Sequence, residues 1–490
     1  MGAMLAAAAL VPFSAGRAEA AGPLAVARGG AERNAQSDSA AGCAPALALG
    51  DVGIAAGGQF RLMGNRSNFG FHDRTAGPDQ VPNTIGNQRF RTWVNVHDRT
   101  SCRYGGYTQI EIGHLDLGSG LEFPKTFGAG GDRVGVEMRG GFLWFRPAEG
   151  ALFRAGVLPW EDRFGERPTF ADPLWGISRA ATGKAPLANS AWEFSVSGVT
   201  LEAAAGDAWH YALGALLLDR DARPGGGQDG SWLLTADLDR EIGSSLWGAS
   251  VYYLRDDAGY SYGGFGGPSG SGAAVQRSRD LWVGGRGHLE HAGGSTGLFL
   301  ILNSGEVPAL GWSHTGWSAK VATTLPAGRG AVHLQWLQAS GDDGGDPQRS
   351  GEFRTIAQSV RDDLGAQAYW SLLGLTSPRG PSDVNDLGIG LQNGGRGLLT
   401  VQAGYEHPLA ARWTAYLAAG WLRSDAPRPA NGSTAIGTEL LAEARWDMGA
   451  MMALEFGASV LLAGDYFKPA AAAPAPTTLH QVYSRWQLEF

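Results

Sequence analysis

The feature that most limits what this chain can fold into is an alternation of apolar and polar residues that recurs from Asp51 to the last residue, broken by connections that are short and long in turn. A period of two is the mark of an extended strand, whose successive side chains point to opposite faces. In "RFRTWVNVH", Arg89, Arg91, Asn95 and His97 oppose Phe90, Thr92, Val94 and Val96, with Trp93 an exception on the polar side. Gln109 and Glu111 oppose Ile110 and Ile112, and Arg133, Glu137 and Arg139 oppose Val134, Val136 and Met138. The same step sets Glu193 between Trp192 and Phe194, Lys320 between Ala319 and Val321, and Glu439, Glu443 and Arg445 against Leu440, Ala442 and Trp446. At the end, Val482, Trp486, Leu488 and Phe490 share one face, while Tyr483, Arg485, Gln487 and Glu489 share the other.

The connections decide between two kinds of β protein. Turns near 99–102, 148–150, 205–207, 241–243, 291–294, 326–330, 407–410 and 448–449 are tight, and between them lie long stretches at 65–86, 117–132, 159–189, 220–230, 256–279 and 425–433. A soluble sandwich follows no such rule, whereas a transmembrane barrel has one rim of short turns and one of long loops. Eighteen candidate strands fall between 54 and 490, an even number. The stretch 341–396 contains "YWSLLGL", which resembles a strand, but counting it alone would move every later long loop to the wrong side. Parity assigns it to one large outer or inward-folded loop. The expectation is an all-β fold, a single transmembrane antiparallel up-and-down β-barrel of about 18 strands over 51–490, with 16 or 20 as alternatives.

Composition agrees. The 76 glycines argue against helices, since each weakens a helix interior by about 1 kcal/mol. The net charge of -8 is spread along the chain and leaves no basic footprint for nucleic acid. Residues 1–20 resemble a signal peptide, with an apolar run from Ala3 to Phe13 and an A-x-A site at Ala18-Glu19-Ala20, and 21–50 reads as a flexible periplasmic leader. No later run reaches the roughly 18 apolar residues of a membrane helix, so a membrane would be crossed by strands.

On the polar faces lie Arg89, Arg91, Arg139, Arg154, Arg286, Arg412, Arg445, Arg485 and Lys320, with Glu111, Glu137, Glu193, Glu290, Glu439 and Glu443. Facing a lumen, they either screen a passing solute by sign and size or pair across strands and hold the wall. Their near balance implies no strong selectivity for anions. The loop "PWEDRFGERPTFADPLWGISRAATGK" carries Glu161, Asp162, Arg163, Arg167, Asp172 and Trp175. Folded inward it narrows the pore; folded outward it is surface. Asp342, Asp343 and Asp346 lack the spacing of a calcium loop, and no nucleophile-histidine-acid set stands out, so neither a metal, a cofactor nor catalysis is expected. Cys43 and Cys102 both fall on the short-turn side, as a bridge tethering the leader or as two thiols. The terminal Trp486, Leu488 and Phe490 resemble the signature by which the barrel-assembly machinery recognises Gram-negative outer-membrane barrels.

"NQRFRTWVNVHDRTSCRYGGYTQIEIG", the 341–396 segment with "YWSLLGL" and "VNDLG", and the strand count together resemble the alginate-export type of outer-membrane porin. That resemblance implies a monomeric barrel with an arginine-rich pore, in some members exporting an anionic polysaccharide. The balance of lumen acids and bases departs from it. The functional expectation is a porin of the Gram-negative outer membrane, passing small hydrophilic, charged or saccharide solutes, with outer-membrane lipids and the assembly machinery as partners and a monomer rather than a trimer. The alternatives are a dedicated exporter of an anionic polysaccharide, a plugged structural or adhesive barrel, and a soluble β-protein or hydrolase.

Overall fold

The computed structural model describes residues 47–69, 83–116, 136–158, 160, 162–165, 187, 196–206, 208–220, 230–257, 277–356, 371–376, 387, 389–449, 452–468 and 477–490. The described strands that form the wall are β1 (Val52–Ser67), β2 (Asn83–Asp98), β3 (Tyr104–Asp116), β4 (Val136–Phe145), β5 (Ala151–Leu158), β6 (Val196–Ala205), β7 (Trp209–Arg220), β8 (Gly230–Ile242) and β9 (Ser245–Asp256). They continue as β10 (Ser278–His291), β11 (Gly294–Val307), β12 (Trp312–Ala327), β13 (Gly330–Ala339), β14 (Leu398–Ala410), β15 (Trp413–Arg423), β16 (Ala435–Asp447), β17 (Met452–Ala463) and β18 (Thr478–Glu489). Each pairs antiparallel with the next, and β18 returns to β1 in the register Gln59↔Glu489 to Ser67↔Gln481. The sheet is therefore a closed ring of eighteen strands, matching the sequence count strand for strand. Two further strands, Leu47–Leu49 and Arg349–Ser350, are attachments and leave the parity unchanged.

Closure satisfies the backbone, and among the described residues no helix is long and apolar enough to span a membrane: every strand finds a ladder on both edges, which is the condition for crossing lipid as strands. The alternation then sorts side chains by solvent. Leu143 on β4, Leu234 on β8, Leu302 on β11, Trp421 on β15 and Trp486 on β18 point outward, with Leu143 71% and Leu302 54% exposed. Between them, Glu111, Asp237, Lys320, Glu439 and Arg485 point inward and are buried. An exposed leucine at every second position would be a liability in water and is the required surface in lipid.

The lumen face also uses glycine. Trp93 lies over Gly57 of β1, Tyr416 over Gly404 of β14 and Tyr483 over Gly457 of β17; a Cβ on Gly457 would sit 2.0 Å from the Tyr483 ring. Each ring lies flat on the neighbouring strand because nothing projects there, a known way of ordering glycine-rich strands. Trp93, the exception in its strand's pattern, is explained by this seat.

The seam is finished at both levels. Phe490 and Gly58 exchange backbone hydrogen bonds of 3.0 and 2.8 Å, and the Phe490 ring stacks on Phe90 at 5.9 Å. Below, where β18 has ended, Leu47–Leu49 pairs with Val52–Ile54 and covers the vacant edge of β1. Three residues expected in a flexible leader are thus strand, since an unpaired edge there would be costly. The rest of that leader and residues 1–20 lie outside the described residues.

Other expectations need correction. Arg412 is exposed in the tight turn between β14 and β15 instead of facing the lumen, because the strand turns before reaching it. Glu290 is near the short-turn rim, half exposed and 2.9 Å from His288. The strand expected around Glu193 is described over Val196–Ala205, and Glu193 lies outside the described residues. So do Glu161, Arg167, Asp172, Trp175 and Cys43, and the side chains of Glu137 and Arg139. Cys102 is disulfide-bonded; it holds φ 51° in its turn.

Candidate functional site

The lumen gathers the buried charge of the described residues, and its wall is organised by arcs of neighbouring strands. On the arc around the seam, the Arg91 guanidinium donates to Glu111 across β2 and β3, both buried. Arg89 donates to Gln59 at 2.7 Å. Arg485 on β18 donates to Glu455 on β17, and the Tyr483 hydroxyl donates to Glu443 on β16 at 2.7 Å. Arg445 closes on Asp447 at 2.7 Å near the short-turn end. Lys320 is buried on β12 between its register partners Phe299 and Leu337.

The opposite arc, β5 to β10, is built around Asp237. Its carboxylate accepts from Ser250 at 2.5 Å and from the Tyr252 hydroxyl at 3.0 Å. Arg286 donates to Ser250 at 2.5 Å and to Asp239 at 2.6 Å. On this network rests the start of the loop after β5. Arg163 donates its backbone N–H to the Tyr252 oxygen at 3.0 Å, and its guanidinium reaches Glu202, which also holds Arg154 at 2.6 Å. Burial alone would lower the Arg163 pKa, but Glu202 and Asp237 outweigh it and hold the group well above the ordinary arginine range. Phe164 meets Tyr252 edge-on at 4.7 Å, and Asp162 accepts the backbone N–H groups of Phe164 and Leu187. Residues 162–165 of this loop, with Leu187, therefore fold into the lumen.

The long segment after β13 also turns inward, in two places. Near the long-loop rim, Arg349–Ser350 pairs parallel with Ser313–His314, Phe353 donates to the Ser340 carbonyl at 2.9 Å, and Trp282 donates to the Arg354 carbonyl at 2.8 Å. Deeper, 371–376 is pinned by four strands. The Glu439 carboxylate accepts the N–H groups of Gly374 (2.9 Å), Leu375 (2.7 Å) and Thr376 (2.9 Å) and the Thr376 hydroxyl (2.6 Å). Gln402 accepts from Ser371 and Leu372, the Tyr416 hydroxyl donates to the Leu372 carbonyl, and Gln481 donates to that of Gly374. Leu373 and Leu375 are buried in the same apolar cluster as Leu387, Ile389 and Leu391.

Arg89, Arg91, Glu111, Arg154, Arg286, Lys320, Glu439, Glu443, Arg445 and Arg485 thus all lie on the lumen wall, but in distinct settings: Glu439 receives a loop, while Arg91 and Arg485 are tied across strands. Glu202, Ser250, Tyr252, Gln402, Tyr416 and Gln481 were not singled out from the sequence. For Gln402 and Gln481 the polar side of the alternation was readable, but the loop that each would meet was not; Glu202 lies on the face that the sequence pattern around Glu193 assigned to lipid, since Val196 is buried and Val199 exposed. Among the described residues no group of histidine, cysteine and acidic side chains has the arrangement of a metal centre, and Asp342, Asp343 and Asp346 cap their own turns.

No family model matches the sequence, and no curated protein does, so the resemblance to alginate-export porins gains no support from comparison. Solved structures do match in fold. OccK11 (OpdR) of Pseudomonas aeruginosa aligns at a TM-score of 0.51 with 12% identity, covering 89% of this chain and 96% of that one. OccAB4 of Acinetobacter baumannii gives 0.51 and 11%, over 89% and 98%. The outer membrane protein opdK of Pseudomonas aeruginosa gives 0.50 and 10%, over 89% and 98%. At such identities the likeness establishes a shared fold: this chain has the barrel architecture of these proteins over nearly their whole length.

Proposed function

We propose that the protein is an outer-membrane channel of a Gram-negative bacterium for small hydrophilic solutes, charged ones included. The observation that carries this reading is the pairing of an apolar exterior with a lumen wall of buried, oppositely charged side chains in a closed ring of eighteen strands. The short-turn rim is the periplasmic one and the long-loop rim faces outside. Large apolar residues project outward from β4, β8, β11, β15 and β18 alike, which supports lipid around the barrel and a monomer. Trp486, Leu488 and Phe490 serve the assembly machinery as its recognition strand. Small-solute passage agrees better than polysaccharide export with three inward stretches that narrow the lumen.

Those stretches also support a second reading, a barrel plugged from within by 162–165, 350–356 and 371–376. Planar-bilayer recording separates the two. Discrete current steps whose reversal potential follows the salt gradient are expected for the channel. Incorporated protein that gives no steps would establish the plug, and partition into the aqueous phase of a detergent separation would overturn both.

A further inference from the structure

A row of arginines on the outside of the barrel, at the long-loop rim, has no role in the lumen. The register fixes the row: Trp232 on β8 lies opposite Arg255 on β9, Arg255 opposite Arg279 on β10, Arg279 opposite Glu306 on β11, Glu306 opposite Ser313 on β12, and Ser313 opposite Arg349. These residues share one height and one outward face. The side chains of Arg255 and Arg279 are each 57% exposed, and Arg277, at the end of the preceding loop, is 67% exposed. Two arginines directly opposite on neighbouring strands repel, and the sheet has placed them at the edge of the apolar band, two register positions above Tyr253 and Leu281 on the same face. Among the described residues, the carboxylates nearby are Asp257, 2.6 Å from Arg255 and 3.8 Å from Arg277, and Glu306, 3.6 Å from Arg279. Four arginines against two acids make the described part of the patch positive. From Arg255 to Arg349 the row spans four strand steps, about 19 Å. At the same rim on the far side, Trp421, Leu462 and Val482 point outward, and Arg66 and Arg423 are single cations among them.

We infer that this row binds the phosphate groups of an outer-leaflet glycolipid whose acyl chains lie on the apolar band below. Guanidinium suits the task because it binds phosphate oxygens through two donors at once, and a bridging phosphate turns the Arg255–Arg279 repulsion into a shared contact. The inference rests on the orientation proposed above, with the long-loop rim outward, and not on solute passage.

The test uses the full-length barrel purified in detergent and titrated with diphosphorylated lipid A, its dephosphorylated counterpart or inorganic phosphate, with bound lipid read by native mass spectrometry. The phosphorylated lipid is expected to bind about tenfold tighter than the dephosphorylated one, and R255Q/R279Q to lose that difference while keeping wild-type conductance. R349Q, at the end of the row, is expected to show a smaller loss. Equal binding of the two lipids, an unchanged preference in R255Q/R279Q, or full competition by inorganic phosphate at equal concentration would each overturn the inference. Failure of the channel reading would appear instead as absent current with the lipid preference intact.

Discussion

At the scale of single residues, the lumen shows why a charge on the polar side of a strand does not announce its task. Glu439 and Arg91 look alike in the sequence, each the polar member of an alternating run, yet Arg91 faces Glu111 across a strand pair while Glu439 receives four donors from a loop more than sixty residues upstream. Replacing Glu439 by alanine leaves three backbone N–H groups and a hydroxyl without their acceptor, at about 1–3 kcal/mol for each that water cannot reach. E439A is therefore expected to release 371–376 while the ring stays closed: larger or noisier single-channel current, with the heat-resistant electrophoretic mobility of the folded barrel retained. Unchanged current would mean that the segment is held by its leucines alone. Gly457 is a residue of the opposite kind, important for what it lacks. G457V drives a side chain into the Tyr483 ring, with an expected cost of about 1–3 kcal/mol from overpacking. It should displace the Tyr483–Glu443 hydrogen bond and lower the temperature at which the folded band is lost.

Among the elements, strands were legible and docked loops were not, for one physical reason. A strand between lipid and water is constrained at every residue, so its period survives in the sequence. An inward loop is constrained only where it meets the wall. That is why 341–396 could be excluded as a single strand by parity, yet the seat of 349–356 on β10 to β12 had no local signal. The same seat carries a pH dependence. Glu352 is buried beside Arg354, which it holds at 2.7 Å. His314 lies 3.1 Å from Asp280 and 2.8 Å from Asn303, and Asp342 adds a further negative charge. Burial pushes the Glu352 carboxyl up from its ordinary value of 4.5, against the pull of Arg354 and His314. A carboxyl whose docked pKa lies above its free value holds more protons when docked, so its contribution is complete below the free pKa and is lost as pH rises through the docked one, about 1.4 kcal/mol per unit of displacement. The strap is expected to sit more firmly in mild acid. Channel fluctuations should grow as pH is raised from below 4.5 toward neutrality, and E352Q should flatten that dependence. A wild-type response in E352Q would assign the effect to another group.

For the molecule as a whole, the sequence carried the number of strands, their faces and the sides of the loops, because a closed barrel ties all three together through parity. It did not carry the seam in detail. Nothing in the alternation says that β1 extends below β18, that Leu47–Leu49 covers the edge left bare, or that Phe490 and Gly58 close the last rung. These depend on where two ends more than four hundred residues apart meet. A ring differs from an open sheet in that its final pairing protects every other strand from exposing an edge. Removing Leu488–Phe490 deletes the rungs from Gly58 to Phe60, only a small part of the total hydrogen bonding. If the seam acted locally, the loss would be proportionally small. If closure is a property of the whole ring, the truncated chain should fail to give a heat-resistant folded band or bilayer current, although all eighteen strands remain in the sequence. Refolding the wild type and the truncation side by side into the same detergent micelles, with folded fraction read by electrophoretic mobility and strand content by circular dichroism, distinguishes the two. Wild-type strand content with an open, protease-sensitive ring is the result expected of the truncation.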